Sequence, residues 1–363
     1  MVGAKETGMA NGQGPLAGVR IVEMEAIGPV PLAAMILADM GADVVRLVRP
    51  GAHAMGVLER SRATVEADLK SPEGQSLALS LIDKADALVE GYRPGVMERL
   101  GLGPDELHAR NPRLVYGRMT GWGQTGPFAE MAGHDINYIS LTGALHAIGR
   151  AGEPPVPPLN LVGDYGGGAM FLVSGVLAGV IRARATGQGD VVDVAMTEGT
   201  INLLSMFHAF LAAGRWQDRP EANLLDGGAH FYRCYECGDG KYVAVGCLEP
   251  QFYAACLKGL ELDAVDYPQY PPQRWPELAQ GFAARFREKT RDEWAAIFAG
   301  TDACVTPVLS FAEAPEHPHN EARGSFVAGA ATQAAPAPRF ARAETSVGTA
   351  ETLSSEQALQ RWT

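Results

Sequence analysis

Two β-branched runs, Val19–Met24 and Asp43–Val48, flank one apolar segment of helical spacing, Leu32–Met40. Strand, helix and strand in a short stretch form a βαβ unit, whose two strands lie side by side and parallel. A parallel sheet has to be covered on both faces, so this feature alone predicts an α/β fold with helices above and below. Gly41 stops the helix, and Ile27-Gly28-Pro29-Val30-Pro31 reads as the loop before it. That loop carries no G-x-G-x-x-G, and its prolines remove N–H donors that a pyrophosphate would use, so NAD is not expected there. Further on, Ser71 is an N-cap with Pro72 at the first helical position, and Ala87–Glu90 and Pro112–Gly117 follow as strands. A large Rossmann-like, doubly wound domain is the expectation.

The middle of the chain has a proline-rich loop, Pro154–Pro158, then an apolar buried helix over Gly166–Arg184 that ends at Thr186-Gly187-Gln188-Gly189. A strand at Val191–Met196 and a helical stretch to about Ala213 come next. From Ala229 the apolar period changes to two. His230–Glu236 and Lys241–Cys247 flank Asp239-Gly240, a hairpin signal, and helices follow at Glu249–Leu260 and Asp292–Phe298. The expected organisation is a flexible tail over 1–15, and a large domain over 16–200 completed by 330–363. A linker helix over 201–227, a small α+β domain over 228–320 and a return linker over 321–329 make up the rest. Ala331–Ala341 is Ala/Pro-rich and reads as surface linker.

Composition narrows the function. Forty-two acidic against thirty basic residues leave a net charge of −12 over 363 residues, which disfavours nucleic acid and anionic membrane as general partners. The longest apolar run, Ala169–Ile181, is shorter than the ~18 residues of a membrane span. The first fifteen residues have no apolar signal core, and Gln360–Thr363 is no peroxisomal address. Five cysteines, an odd number, do not form a disulfide framework. A soluble cytoplasmic protein is expected. Cys234-Tyr235-Glu236-Cys237 lies on a strand, where residues three apart face opposite sides. His317-Pro318-His319 has no acidic partners at ligand spacing, so no metal site is expected.

Three strings could carry chemistry. Gly133-His134-Asp135-Ile136-Asn137-Tyr138 gathers an imidazole, a carboxylate, an amide and a phenol, though a His beside an Asp also suits a structural pair. In Val162-Gly163-Asp164-Tyr165-Gly166-Gly167-Gly168, Asp164 precedes three glycines at a helix start. The glycines either allow close packing or bare a helix N-terminus to a ligand oxyanion. Glu249 stands between a strand and a helix, suited to a ligand site or to complementing the helix dipole. Arg46, Arg49, Lys70, Arg93 and Arg99 gather in the first domain near strand ends, where surface residues and phosphate clamps are both found.

With Leu16–Arg20, Leu37–Val44, Glu90–Gly95, Gly121–Pro127, Asn160–Gly168 and Gly246–Phe252, these strings resemble the α-methylacyl-CoA racemases of the family III CoA-transferase superfamily. The resemblance spans about Leu16 to Phe340. It implies an interlocked homodimer and an acyl-CoA thioester substrate. The reaction implied is 1,1-proton transfer through an enolate, interconverting (R)- and (S)-2-methylacyl-CoA without metal or redox cofactor. By the same resemblance His134 and Asp164 are the two bases and Glu249 orients His134. Tyr138 and Tyr232 lie by the pocket, and the Gly166-Gly167-Gly168 helix start meets the thioester oxygen. Arg49, Lys70, Arg93, Arg99, Gly91, Tyr92, Ala67 and Leu69 match positions that hold CoA. The alternative within the family is a CoA-transferase with Asp164 as nucleophile.

Overall fold

Strand β1 (Arg20–Met24) leads through helix α1 (Pro29–Asp39) to β2 (Asp43–Val48), the βαβ unit expected from the sequence. The computed structural model describes residues 14–53, 56–329 and 331–363. The tail expected over 1–15 therefore lies, apart from Gly14 and Pro15, outside the described residues. The chain continues with β3 (Ala63–Glu66), α2 (Pro72–Ile82), β4 (Ala87–Glu90), α3 (Val96–Arg99), α4 (Pro104–Arg110) and β5 (Val115–Thr120). Helices α5 (Asp135–Ser140) and α6 (Ala144–Ala147), a π-helical segment over Leu161–Ala169, and α7 (Met170–Thr186) precede β6 (Asp190–Ala195) and α8 (Met196–Leu203). The next elements are α9 (Ser205–Ala212), β7 (Tyr232–Glu236), β8 (Tyr242–Gly246), α10 (Pro250–Leu260), α11 (Trp275–Phe286), α12 (Arg291–Phe298) and β9 (Val305–Pro307). The chain ends with α13 (Pro318–Ala322), β10 (Phe326–Val327), β11 (Gln333–Ala334), β12 (Glu351–Leu353) and α14 (Ser355–Arg361).

The described residues pack as two units, one lying within 1–142, 158–204 and 324–363, the other within 143–157 and 205–323. The sequence reading ran the first domain unbroken to 200 and began the second at 228. The stretch 143–157 joins the second unit because Glu221 ties it there. Its carboxylate accepts from Arg150 at 3.0 Å and the Ala151 N–H at 3.0 Å, and from Arg233 of β7 at 2.9 Å.

The first unit holds a seven-stranded sheet in the order β12-β3-β2-β1-β4-β5-β6, parallel throughout. Its two faces alternate strictly. Ile21, Val44, Val89 and Val115 point into a core with α1 and α7. Val22, Val45, Leu88 and Tyr116 point into another with α2, α4 and α14. This is the burial that a doubly wound fold requires of each strand.

Several elements differ from expectation. Pro29 opens α1 where a loop was expected, because its missing N–H and fixed φ suit the first helical position. The strand expected at Pro112–Gly117 is shifted to Val115–Thr120. Ser71 caps α2 as expected, accepting from Gly74 N at 3.0 Å. The expected helix to Ala213 is divided at Leu204. Residues 161–186 are helical throughout, a 26-residue run whose most apolar 18-residue window has a mean hydropathy of 1.5, longer than the apolar run read from sequence and long enough to cross a membrane. Its packing against β5, β6 and α1 is that of a core helix. Within 331–341, read as surface linker, β11 is held where Arg60 donates to Gln333 at 3.0 Å and to the Ala334 carbonyl at 2.7 Å.

The second unit is built on the antiparallel sheet β7-β8-β9. The Asp239-Gly240 turn joins β7 and β8, with Gly240 at φ 75°. One sheet face packs Tyr235, Val243, Val245 and Val305 against Phe282, Phe286 and Trp294 from α11 and α12.

Backbones approach closely where the π-helical segment meets α8. A Cβ on Gly199 would lie 1.9 Å from the Gly167 carbonyl oxygen. Gly199→Ala is expected to destabilise the protein by about 1–3 kcal/mol through overpacking. The urea midpoint measures it, and an unchanged midpoint would show that the two segments separate freely.

Candidate active site at the sheet switch point

The strand order reverses between β1 and β4. After β1 the chain turns to the α1 face, and after β4 it turns to the α4 face, so a crevice opens beyond the carboxyl ends of these two strands. A cleft of about 410 Å³ lies there. Ile27–Val30 after β1, Gly91–Pro94 after β4, Thr120–Trp122 at the end of β5, and Met196 after β6 form its floor. His134, Tyr138 and Asp164 complete the wall. Two of the three candidate strings thus meet in one cleft of one unit.

His134 is exposed and stands as the N-cap residue of α5, its backbone N–H donating to Asn137 Oδ1 at 3.1 Å. The Tyr138 hydroxyl donates to the Gly133 carbonyl, fixing the peptide just before His134. The Tyr138 ring meets Trp122 edge-on, with centroids 4.8 Å apart. Gly121 and Gly133 are required here, since a Cβ on either would strike the Tyr138 ring. Tyr138 therefore lines the cleft with its ring while its hydroxyl is engaged.

Asp164 is half-buried in the π-helical segment. Its own N–H donates to Asp135 Oδ2 at 2.7 Å, and its Oδ2 accepts from Asn160 Nδ2 at 3.2 Å. A Cβ on Gly28 would come within 3.2 Å of the same carboxylate oxygen, so glycine at that turn lets Asp164 face the crevice. Burial holds the Asp164 carboxyl above its ordinary pKa. The Asn160 amide and the His134 charge oppose this, and the Asp135 charge adds to it. Burial likewise raises the Tyr138 phenol, reinforced by Asp164 and opposed by Arg93.

The Gly166-Gly167-Gly168 expectation is corrected. These residues lie past the first turn, inside a segment with i→i−5 bonding such as Tyr165 N to the Asn160 carbonyl. Gly167 and Gly168 are buried, against Thr200 and Met196 of α8. They serve close packing, the plainer of the two sequence readings, and do not bare a helix start to a ligand.

The basic residues separate into two groups. Arg46 is buried, with its guanidinium 2.6 Å from Glu59 and 3.7 Å from Glu23, so it is no phosphate clamp. Arg49, Lys70, Arg93 and Arg99 are exposed and follow the carboxyl ends of β2, β3 and β4 along the cleft edge of the sheet. Arg49 has a carboxylate within reach, Glu25 at 3.6 Å. Among the described residues the other three have none within 4.0 Å. Gly91 and Tyr92 line the cleft. Ala67, buried, and Leu69, half-buried, follow β3.

Glu249 and Tyr232 belong to the second unit. Glu249 is the N-cap residue of α10 and makes no capping hydrogen bond. Tyr232, on β7, borders a concavity of about 530 Å³ on the outer face of the small sheet, with Cys234, Gly246 and Cys304. Among the described residues no group of three or more His, Cys, Asp or Glu could hold a metal ion. Sequence reasoning overlooked Asn160 as a partner of Asp164, and Glu90 and Arg118 beneath the loop 91–95. Charges inside the otherwise apolar strands Ala87–Glu90 and Val115–Thr120 were the available signal.

Residues 16–352 match the profile of CoA-transferase family III. The α-methylacyl-CoA racemase of Mus musculus is 46% identical over 313 residues, which is 86% of this chain and 82% of that protein. The α-methylacyl-CoA racemase of Homo sapiens is 45% identical over 325 residues, covering 89% of this chain and 85% of that one. Among solved structures, a CAIB/BAIF family protein from Brucella suis superposes with a TM-score of 0.81 at 23% identity, covering 96% of this chain and 98% of that one, a likeness of fold.

The raised Asp164 pKa has a consequence for stability. The folded state holds this proton more tightly than the unfolded chain, so the group favours folding at low pH. That contribution is lost as pH rises through the folded pKa. Asp164→Asn cannot ionise and escapes the loss. Its melting temperature is expected to exceed that of the wild type near pH 8, with the gap closing as pH falls toward the ordinary value of 3.8. A gap that widens on acidification would overturn the assignment.

Proposed function

The chain belongs to CoA-transferase family III, and from that premise we propose that it is an isomerase interconverting (R)- and (S)-2-methylacyl-CoA thioesters by proton transfer at the α-carbon. The observation that carries this reading is that an imidazole, His134, and a desolvated carboxylate, Asp164, line the same cleft at the sheet switch point. The two relatives at 45% and 46% identity, both named α-methylacyl-CoA racemase, support the same reaction.

Inversion at one carbon needs an acceptor on one face and a donor on the other. In this reading one of His134 and Asp164 removes the α-proton. The electron pair passes into the thioester carbonyl, giving a planar enolate, and the other residue returns a proton to the opposite face. The roles exchange in the reverse direction. A carboxylate lifted above its ordinary pKa is a stronger base than one in water, which narrows its mismatch with imidazole. Asn160 and Asp135 hold Asp164 from two sides while Asn137 and Tyr138 hold the backbone at His134, so both groups meet the α-carbon preoriented. Glu249 is assigned to orient His134, and Tyr232 to the acyl pocket, by their match to the family strings. Side chains and the substrate's own thioester supply all that the proton transfer needs, without a cofactor.

Arg49, Lys70, Arg93 and Arg99 are assigned to the phosphates of CoA. An acidic chain that lines one sheet edge with cations has a local field suited to a polyanion. A second copy of the chain is the proposed partner. Leu161, Ile181, Ile201 and Leu203 are exposed apolar side chains of the first unit, Ile181 at 71%, that an interlocked homodimer would cover.

In deuterated water the protein is expected to exchange the α-proton of both epimers of a 2-methylacyl-CoA. Exchange of neither, with CoA transfer to a free carboxylate, would favour Asp164 as a nucleophile instead. His134→Ala and Asp164→Ala are each expected to lower epimerisation by about 10²–10⁴-fold. Light scattering is expected to give twice the chain mass, and a monomer at assay concentration would remove the dimer.

A further inference from the structure

The loop that brings Gly91–Pro94 to the cleft begins after Glu90, the last residue of β4, and runs into α3, which carries Glu98 and Arg99. Neither Glu90 nor Arg118 lines the cleft. Glu90 is 0% exposed and Arg118 on β5 is 7% exposed, and the two are register partners on neighbouring strands. The Arg118 Nε–H donates to Glu90 Oε1 at 3.1 Å. Its Nη1 and Nη2 donate to the two Glu98 oxygens at 2.8 and 3.2 Å. The other Glu90 oxygen accepts the Tyr92 N–H at 2.6 Å. One buried guanidinium thus grips the residue before the loop and a residue after it, and the first of these carboxylates holds the loop's own backbone.

We infer that Arg118 is a positioning residue for the bound nucleotide end of the substrate: through Glu90 and Glu98 it fixes the loop 91–95 and α3 so that Arg93 and Arg99 meet the CoA phosphates. The inference rests on the acyl-CoA reading given above. A buried guanidinium with two carboxylates is a poor way to gain stability alone, since desolvation offsets most of the attraction. It is an effective way to define geometry, because the planar fork admits few orientations. Burial pushes the Glu90 carboxyl up to about 7, with the Tyr92 N–H and Arg118 opposing that rise. The Tyr92 N–H and Arg118 together favour the anionic acceptor under the loop. Gly95 completes the device. It sits at φ 78°, and a Cβ there would lie 3.1 Å from Arg99 Nη1.

The test compares a 2-methylacyl-CoA with the matching 2-methylacyl-pantetheine, which lacks the nucleotide and its phosphates. The wild type is expected to show a lower KM for the CoA thioester. Glu98→Gln removes one grip at a side chain that is 41% exposed and so leaves folding intact. Arg118→Met removes both. Each is expected to raise the KM for acyl-CoA by about tenfold or more, toward the pantetheine value. kcat and the pantetheine KM should not change, and Arg118→Lys should be intermediate. Equal losses on both thioesters, a fall in kcat, or unchanged variants beside a discriminating wild type would overturn the positioning role. A wild type that does not discriminate would overturn the phosphate assignment and this inference with it.

Discussion

The reversal of strand order between β1 and β4 is the constraint on which the rest depends. Parallel strands leave their carboxyl ends together at one edge, and only where successive connections go to opposite faces does that edge open. Every cleft residue is placed by that opening. The turn after β1 brings Gly28 against Asp164, the turn after β4 brings Arg93, and the end of β5 brings Trp122 under Tyr138. The strict alternation of the two cores makes the opening rigid, since moving a strand by one residue would turn Ile21 and Val22 to the wrong faces.

Within the opening, one hydrogen bond joins the two candidate strings. Asp135 follows His134 in the chain and accepts the backbone N–H of Asp164. The backbone of the Asp164 segment is therefore tied to the residue next to His134. Asp135 is buried, and its charge adds to the rise that burial causes in the Asp164 pKa, so the same side chain bears on position and on proton affinity. The π-helical turn makes this possible. Its wider bonding pattern is accommodated by glycines that let α8 approach backbone to backbone.

Features fixed by local chemistry were legible in the sequence. β1 and β2 fall where the β-branched runs put them, within one residue, and the Ser71 cap and the Asp239-Gly240 turn follow from side chains close in the chain. Features that depend on distant partners were not. β3 and β12 are short and polar and exist through pairing with one another and with β2. Gly166–Gly168 suggested a ligand-facing helix start because the packing of α8 on them is a tertiary fact. Arg46 and Arg93 look alike in sequence, yet one is buried between Glu23 and Glu59 and the other opens on the cleft. His134 and Asp164 stood out as candidates by residue type, but the contacts of Asn160, Glu90 and Arg118 are ones that no spacing reveals.

The edge strand of the large sheet comes from the far end of the chain. Glu351–Leu353 pair with Ala63–Val65, and beyond them Arg361 and the Trp362 indole both bond to Asp43, at 2.7 and 2.9 Å. During synthesis, β3 and the flank of α2 therefore remain uncovered until the whole second unit has been made. The loop to be closed runs from β3 to β12, and the entropy cost of closing a loop grows only slowly with its length. The cost is one of time, with an open strand edge persisting while translation proceeds. The second unit can assemble its own core in that interval, so the order of folding is written into where the sheet finds its last strand.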